Sequence, residues 1–372
     1  MDEKIKRLNS WFKGKSAPPI KFDIFVTNKC NLRCVFCGFP DIPASEHQKE
    51  LSDEQLVSLV KEAGNLGAKI FGILGGEPFV RKDITIQLMK LGKEAGMEGS
   101  LVTNGVMLNE NDIKEIIKSR WDLIRFSIDG SKAEIHDYLR GKKGSFNKTV
   151  ENLKLFQKLK KEMNLQTPTL EINTVLCKKN ISDLPAIIEM AKDLKIKRVY
   201  ILPMIDFGKG TEHLRIKEED TPRVLEAIKK AKKLIERYNL DNNYNVDNNL
   251  NEIEKDYLFV KPNKMDKVML DDKKKQEKGY IPCFLPWYGI CVSAHGEVTP
   301  CAAVTNEKSL FCGNVKKESL NKIWQGKKFS KIRDNMVKKM LPEGCSRCCM
   351  PLVDENQMLR TELQKQKDNG KD

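Results

Sequence analysis

The sequence predicts an α/β protein: an open barrel of six strand–helix units followed by a small cysteine-rich α+β domain. Three observations carry that expectation. β-rich runs and amphipathic helical segments alternate six times from Lys21 to Tyr238, a polar or glycine-rich motif follows nearly every β-rich run, and seven of the eleven cysteines lie between Cys283 and Cys349. Parallel strands need crossover helices to join them, so consecutive units of this kind imply a parallel sheet with helices outside it. Eight units would close a full barrel, and six leave it open.

KFDIFVT (21–27) is the first strand, and it runs directly into a group of cysteines. Ser52 and Gln55 form a capping box for a helix on which Leu56, Leu59, Val60 and Ala63 share a face. KIFGIL (69–74) is the second strand, and its helix carries Ile84, Leu88, Leu91 and Ala95 and stops at Gly96. GSLVT (99–103) is the third strand, followed by a helix around 113–118. DLIRFSI (122–128) is the fourth, with Val150, Leu153 and Phe156 on the helix behind it. TLEINTVL (169–176) is the fifth, with Leu184, Ile187, Ile188 and Ala191. RVYIL (198–202) is the sixth, with Val224, Ile228, Ala231 and Ile235. Residues 239–280 are rich in Asn, Asp and Lys and lack apolar periodicity, which reads as an irregular connector. The expected division is an N-terminal extension (1–20), the barrel (21–238), the connector (239–280), the cysteine-rich domain (281–354) and a polar tail (355–372).

Composition excludes several classes. The chain has 372 residues, 40% of them hydrophobic, enough for a sizeable core. No apolar run approaches the ~18 to 20 residues of a membrane span, and the charged start MDEKIKRLNSWFKGK lacks the apolar centre of a secretory signal. A cytoplasmic protein is expected. Eleven cysteines without an export signal then point to metal ligation rather than disulfides, because the cytosol keeps thiols reduced. The net charge of +14 comes from lysines spread along the chain, with no basic helix interleaved with aromatics, so a nucleic-acid partner is not expected.

Chemistry in such a fold collects at the carboxyl ends of the strands. There the chain places NKCNLRCVFC after the first strand, GGEP (75–78) after the second, TNG (103–105) after the third and SIDG (127–130) after the fourth, with Asn173 on the fifth. Cys30, Cys34 and Cys37 are too few to close a structural zinc site, which takes four protein ligands. They suit a cubane iron–sulfur cluster in which three irons take a cysteine and the fourth stays open. His47 is a conceivable fourth ligand but lies in a charged, solvated segment.

The Cys-x3-Cys-x2-Cys spacing after a first strand, together with GGEP, resembles the radical S-adenosylmethionine (SAM) superfamily over residues 20–235. The resemblance implies a partial TIM-like barrel, a 4Fe–4S cluster on Cys30, Cys34 and Cys37, and SAM chelated at the open iron. It further implies that Phe36 packs near the adenine, and that Gly75, Gly76, Glu77 and Pro78 meet the methionine amino group. Ser127, Asp129 and Asn173 match positions that contact the ribose or carboxylate, and Arg140 matches the arginine that pairs with the SAM carboxylate. Asn104 of TNG belongs to the same set, although TNG also reads as an ordinary capping turn. Reductive cleavage of SAM to a 5′-deoxyadenosyl radical that takes a hydrogen atom from the substrate is the implied chemistry, fed by an electron donor such as flavodoxin or ferredoxin.

In the C-terminal segment, GICVSAHGEVTPC reads as a hairpin turning at His295–Gly296, followed by a CxxC at Cys345 and Cys348. On spacing alone this fits a zinc ribbon. Behind a radical SAM domain it resembles the SPASM and twitch extensions, which carry auxiliary iron–sulfur clusters. That resemblance implies one auxiliary 4Fe–4S cluster on Cys283, Cys301, Cys345 and Cys348. Cys349 is an alternative to Cys348, and Cys177, Cys291 and Cys312 are left without a role. Four protein ligands leave no open iron, so the second cluster would accept an electron, which suits a net oxidation of a sugar-like alcohol. A peptide maturase is the second reading: relatives that modify peptides often carry a leader-binding domain ahead of the barrel, and residues 1–20 are too few for one. A zinc-containing basic binding protein is the reading from another class, and it leaves GGEP, SIDG and the triplet unexplained.

Overall fold

The computed structural model describes residues 2–39, 42–204, 210–240, 281–305, 307–340, 345 and 350–369. Six parallel strands form the barrel wall in chain order: β1 (Lys21–Phe25), β2 (Ile70–Leu74), β3 (Glu98–Thr103), β4 (Leu123–Ser127), β5 (Thr169–Leu176) and β6 (Val199–Pro203). The helices α1 (Asp2–Phe12), α2 (Ala44–His47), α3 (Asp53–Asn65), α4 (Lys82–Glu94), α5 (Glu110–Lys118), α6 (Ala133–Arg140), α7 (Ser145–Glu162), α8 (Leu184–Asp193) and α9 (Thr221–Tyr238) accompany them. This is the expected partial barrel, each strand within two residues of its sequence position.

Local signals explain the helices. The Ser52 hydroxyl accepts from the Gln55 amide while the Gln55 side chain accepts from the Ser52 amide, closing the capping box that starts α3. Leu56, Leu59, Val60 and Ala63 are buried, as the 3.6-residue periodicity requires. The outer layer is dense with aromatics: Phe22 stacks on Phe71, which meets the edge of fully buried Trp121.

The cysteine-rich domain continues the same sheet. β7 (Gly289–Val292) pairs in parallel with β1, setting Cys291 opposite Asp23. β8 (Glu297–Thr299) and β9 (Gly313–Asn314) add on antiparallel, so the described strands form one nine-stranded sheet ordered β6-β5-β4-β3-β2-β1-β7-β8-β9. The hairpin turns at His295–Gly296 as expected, with Gly296 in the left-handed region. Helices α10 (Leu320–Trp324) and α11 (Lys327–Val337) follow.

The segment read as a polar tail is helical. α12 (Met350–Asn369) buries Asn356, Leu359 and Leu363 and joins α1 through an Asn9–Gln366 hydrogen bond and a Lys4–Glu355 ion pair. Its buried positions are few among many polar ones, which hides the amphipathic pattern from a sequence reading. Arg333 on α11 lies within 4.4 Å of the ring centres of Trp11 and Trp324, fastening the N-terminal extension to the C-terminal domain. Residues 241–280 of the expected connector lie outside the described residues.

Candidate functional site

The loop carrying Cys30, Cys34 and Cys37 leaves β1 and is held from two sides. On one side the β2 turn docks against it: the Gly76 amide donates to the Thr27 carbonyl at 2.8 Å and the Glu77 amide to the Lys29 carbonyl at 2.8 Å. A Cβ on Gly75 would stand 2.6 Å from the Thr27 carbonyl oxygen, and one on Gly76 would stand 2.4 Å from that of Lys29. The glycines therefore admit the cysteine loop's own backbone, a close approach that only glycine permits. On the other side α6 ends against the loop, with the Val35 amide donating to the Leu139 carbonyl at 3.0 Å.

Glu77 is buried, and its carboxylate braces the next strand end. It accepts from the Phe79 amide, from the Thr103 hydroxyl at 2.7 Å and from the Asn104 amide at 2.7 Å. Burial pushes its carboxyl up to about 6 against the pull of those donors. Pro78 begins the short helical turn Pro78–Arg81 that Glu77 caps. Asn104 reaches back to the cysteine loop, donating to the Asn31 side-chain oxygen at 2.8 Å. Asn31 is a partner that the sequence reading missed, and its place between two cysteines was the available signal.

Arg140 meets three other expected residues. Its Nε lies 2.7 Å from Asp129 Oδ2, a terminal nitrogen stands 3.8 Å from Cys34 Sγ, and its guanidinium sits 5.6 Å from the centre of the Phe36 ring. Asp129 is fully buried; burial raises its carboxyl above the usual range, while the Arg140 charge opposes this. Its other oxygen accepts from the Val175 amide at 2.8 Å. Behind the pair lies His136, whose Nδ1 accepts from the Asp129 amide. Burial drives the His136 imidazole down to about 3, so it is neutral. Ser127 and Asn173 are register partners on β4 and β5, and the buried Asn173 Oδ1 has no hydrogen-bond partner among the described residues.

These observations suit SAM and a cubane. A buried carbonyl oxygen is left for a donor, a cation stands beside one cysteine, and an aromatic face adjoins that cation. Among the described residues no three His, Cys, Asp or Glu side chains converge on a single ion. A cubane asks for something else, since each of its irons takes a separate outside ligand. His47 is bonded to Glu50 through Nδ1.

In the C-terminal domain, Cys283, Cys301 and Cys345 are partly covered and unbridged, while Cys348 lies outside the described residues. Burial pushes the Cys283 thiol up to about 11 and the Cys345 thiol up to about 12. Asn356 on α12 donates to Cys283 Sγ at 3.6 Å and accepts from the Phe284 amide at 2.7 Å. Cys291 and Cys312 are buried among apolar side chains, as is Cys177.

Residues 24–191 match the radical SAM superfamily and residues 283–349 match SPASM, an iron–sulfur cluster-binding domain. The AdoMet-dependent heme synthase of Methanosarcina barkeri is 26% identical over 315 residues, covering 83% of each chain. PqqA peptide cyclase of Rhizobium meliloti is 26% identical over 340 residues, covering 91% of this chain and 81% of the relative. In fold, SuiB of Streptococcus suis bound to SAM superposes with a TM-score of 0.63 at 16% identity, covering 94% of this chain and 72% of that one. The structure of anSMEcpe with bound AdoMet gives 0.60 at 21% identity, covering 89% and 83%. With both domain families found in order along the described barrel and its extension, the chain is a radical SAM enzyme with a C-terminal SPASM domain, and SAM and iron–sulfur clusters are its cofactors.

Proposed function

We propose that this enzyme is a maturase that oxidises a peptide substrate at the open end of the barrel. The observation that carries the reading is the alignment with PqqA peptide cyclase, which runs through both domains and 91% of the chain. The sugar-like alcohol finds no support among the relatives, and the peptide takes its place. A tetrapyrrole substrate is the second reading, favoured by the heme synthase alignment over 83% of the chain.

Cys30, Cys34 and Cys37 would hold the first cluster. Phe36 would face the adenine, the Gly75–Pro78 turn the methionine amino end, Ser127 and Asn173 the ribose, and Arg140 the carboxylate. When bound, this cofactor pair supplies an oxidant that removes a hydrogen atom from the substrate. The chain's own residues bind and orient. Asp129 and the Phe36 ring hold the Arg140 guanidinium beside Cys34, so its donors need no reorganisation when a carboxylate arrives. Glu77 joins the β2 turn to the β3 end, which fixes Asn104 and through it Asn31. Leu139, Cys177 and Leu214, with Val35 and Phe36 against them, form an apolar wall that excludes water from this side.

Cys283, Cys301, Cys345 and Cys348 would hold one auxiliary cluster that takes the second electron of the oxidation. Flavodoxin or ferredoxin would deliver the first electron, in the cytoplasm. The test is anaerobic turnover with SAM and a reductant, offering either the short peptides encoded beside the gene or iron coproporphyrin III. Loss of two hydrogens from a peptide, read by mass spectrometry, is the expected result. Turnover of the porphyrin alone would replace the peptide reading, and a zinc-loaded, colourless protein that leaves SAM intact would end both.

A further inference from the structure

The two faces of the barrel wall differ. Ile124, Phe126 and Ile172 are buried beneath the outer helices, whereas Arg125, Asn173 and Tyr200 on the inner face are only partly covered. A closed eight-stranded barrel fills its interior with side chains, but this open one leaves a polar lining that is in part exposed. Strand register arranges that lining in rows. Ser127, Asn173 and Tyr200 lie level across β4, β5 and β6, and Arg125 lies opposite Glu171 in the row beneath. Two residues along a strand span about 7 Å, so this lower row is that much deeper in the barrel.

The lower row holds a carboxylate shared between two arginines. Glu171 is fully buried and bonded to Arg125 Nε at 2.8 Å and to the Arg198 guanidinium. Glu171 thereby fixes Arg125 through its Nε and leaves the rest of that guanidinium to other partners. Arg125 also lies over the Tyr200 ring at 5.1 Å, and its side chain is 20% exposed. Glu171 and Tyr200 occupy its Nε and one face. Its two terminal nitrogens, the fork that grips carboxylates bidentately, make no hydrogen bond among the described residues.

We propose that the Arg125 fork, pre-oriented by Glu171 and Tyr200, anchors a carboxylate of the substrate inside the barrel, one row below the residues that would hold SAM. In a peptide the carboxylate is an Asp or Glu side chain, and in a porphyrin it is a propionate. The inference rests on the reading that the barrel opening admits the substrate, and it identifies the group recognised there.

The test uses the full-length protein with its clusters reconstituted and SAM bound. The probes are glutarate, a Glu-containing hexapeptide with its Gln counterpart, and iron coproporphyrin III, with affinity measured by anaerobic equilibrium dialysis. At least one carboxylate probe should bind the wild type and bind Arg125→Gln tenfold or more weakly, and Arg125→Lys, which keeps the charge but loses the fork, should fall between. Iron content and thermal midpoint show whether each variant has folded, and Arg125→Lys keeps a cation beside Glu171 should Arg125→Gln fail to fold. Failure of every probe to bind the wild type, or equal binding by the folded variants, would overturn the anchor and leave the row a structural ion network. Arg125-dependent binding of the porphyrin but not the hexapeptide would sustain the anchor while removing the peptide reading. Unaltered peptide turnover by Arg125→Gln would do the reverse.

Discussion

In the barrel, the three cysteines come from a single loop clasped between the β2 turn and the end of α6, and Arg140 places a cation 3.8 Å from Cys34. In the C-terminal domain, Cys283, Cys301 and Cys345 come from separate segments, and the neutral amide of Asn356 donates to Cys283. The polar surroundings differ accordingly. The first site groups Asn104, Asp129 and Asn173 of the strands with Arg140 at the end of α6, and the Asn173 oxygen among them has no partner among the described residues. The second has α12 against Cys283, with Asn356 and Leu359 of that helix fully buried. A site that exchanges a ligand at every turnover needs free polar groups and an opening. A site that only passes electrons is better enclosed, with every iron held by the protein.

Disrupting each set of cysteines should break the comparison most sharply. Cys34→Ala should abolish reductive SAM cleavage while the iron of the second site remains bound; cleavage by this variant would remove the triplet from its role. Replacing Cys283 and Cys301 together should lower total iron from near two cubanes to about one per chain. That double variant should still cleave SAM yet form no product, because the second electron has no acceptor. Normal turnover would make the second cluster structural, and a third cubane in the wild type would call on Cys291, Cys312 or Cys349.

Arg140→Ala comes next, with two separable effects. Loss of a charge-assisted contact should weaken SAM binding roughly ten- to a hundredfold. It also leaves Asp129 buried and unpaired, which should cost about 3–5 kcal/mol of stability. Adding Asp129→Asn should restore the thermal midpoint but not SAM affinity. Recovery of both would make Arg140 a structural residue only.

The smallest effect concerns His136. It is held neutral in the fold with its imidazole down at about 3, against about 6.5 when unfolded. The unfolded chain therefore binds a proton first as pH falls, so His136 removes stability below about pH 6.5, by up to ~1.4 kcal/mol per pH unit. Glu77, raised to about 6 in the fold, binds its proton in the folded chain first and opposes this between about pH 6 and 4.5. His136→Gln should hence gain stability relative to wild type on acidification. Parallel midpoint curves for the two proteins would show that His136 does not titrate in this way.

The barrel was legible because its signals are local. Each strand and helix advertises itself through a period of two or 3.6, and the cysteine triplet, GGEP and SIDG follow their strands directly in sequence. The hairpin at His295–Gly296 was legible for the same reason. What lay hidden depends on residues distant in the chain. The glycines of GGEP also admit the carbonyls of Thr27, Asn28 and Lys29, a contact that the motif alone does not announce. The pairing of β7 with β1, the seating of α12 over Cys283, the Arg333 cage and the Arg125–Glu171–Arg198 row join segments with no common period or motif. The sequence by itself determined the six units, the order of the domains and the three thiols. Tertiary structure alone decided which carboxylate each arginine faces, because that depends on strand register and burial, which bring together side chains that the sequence keeps far apart.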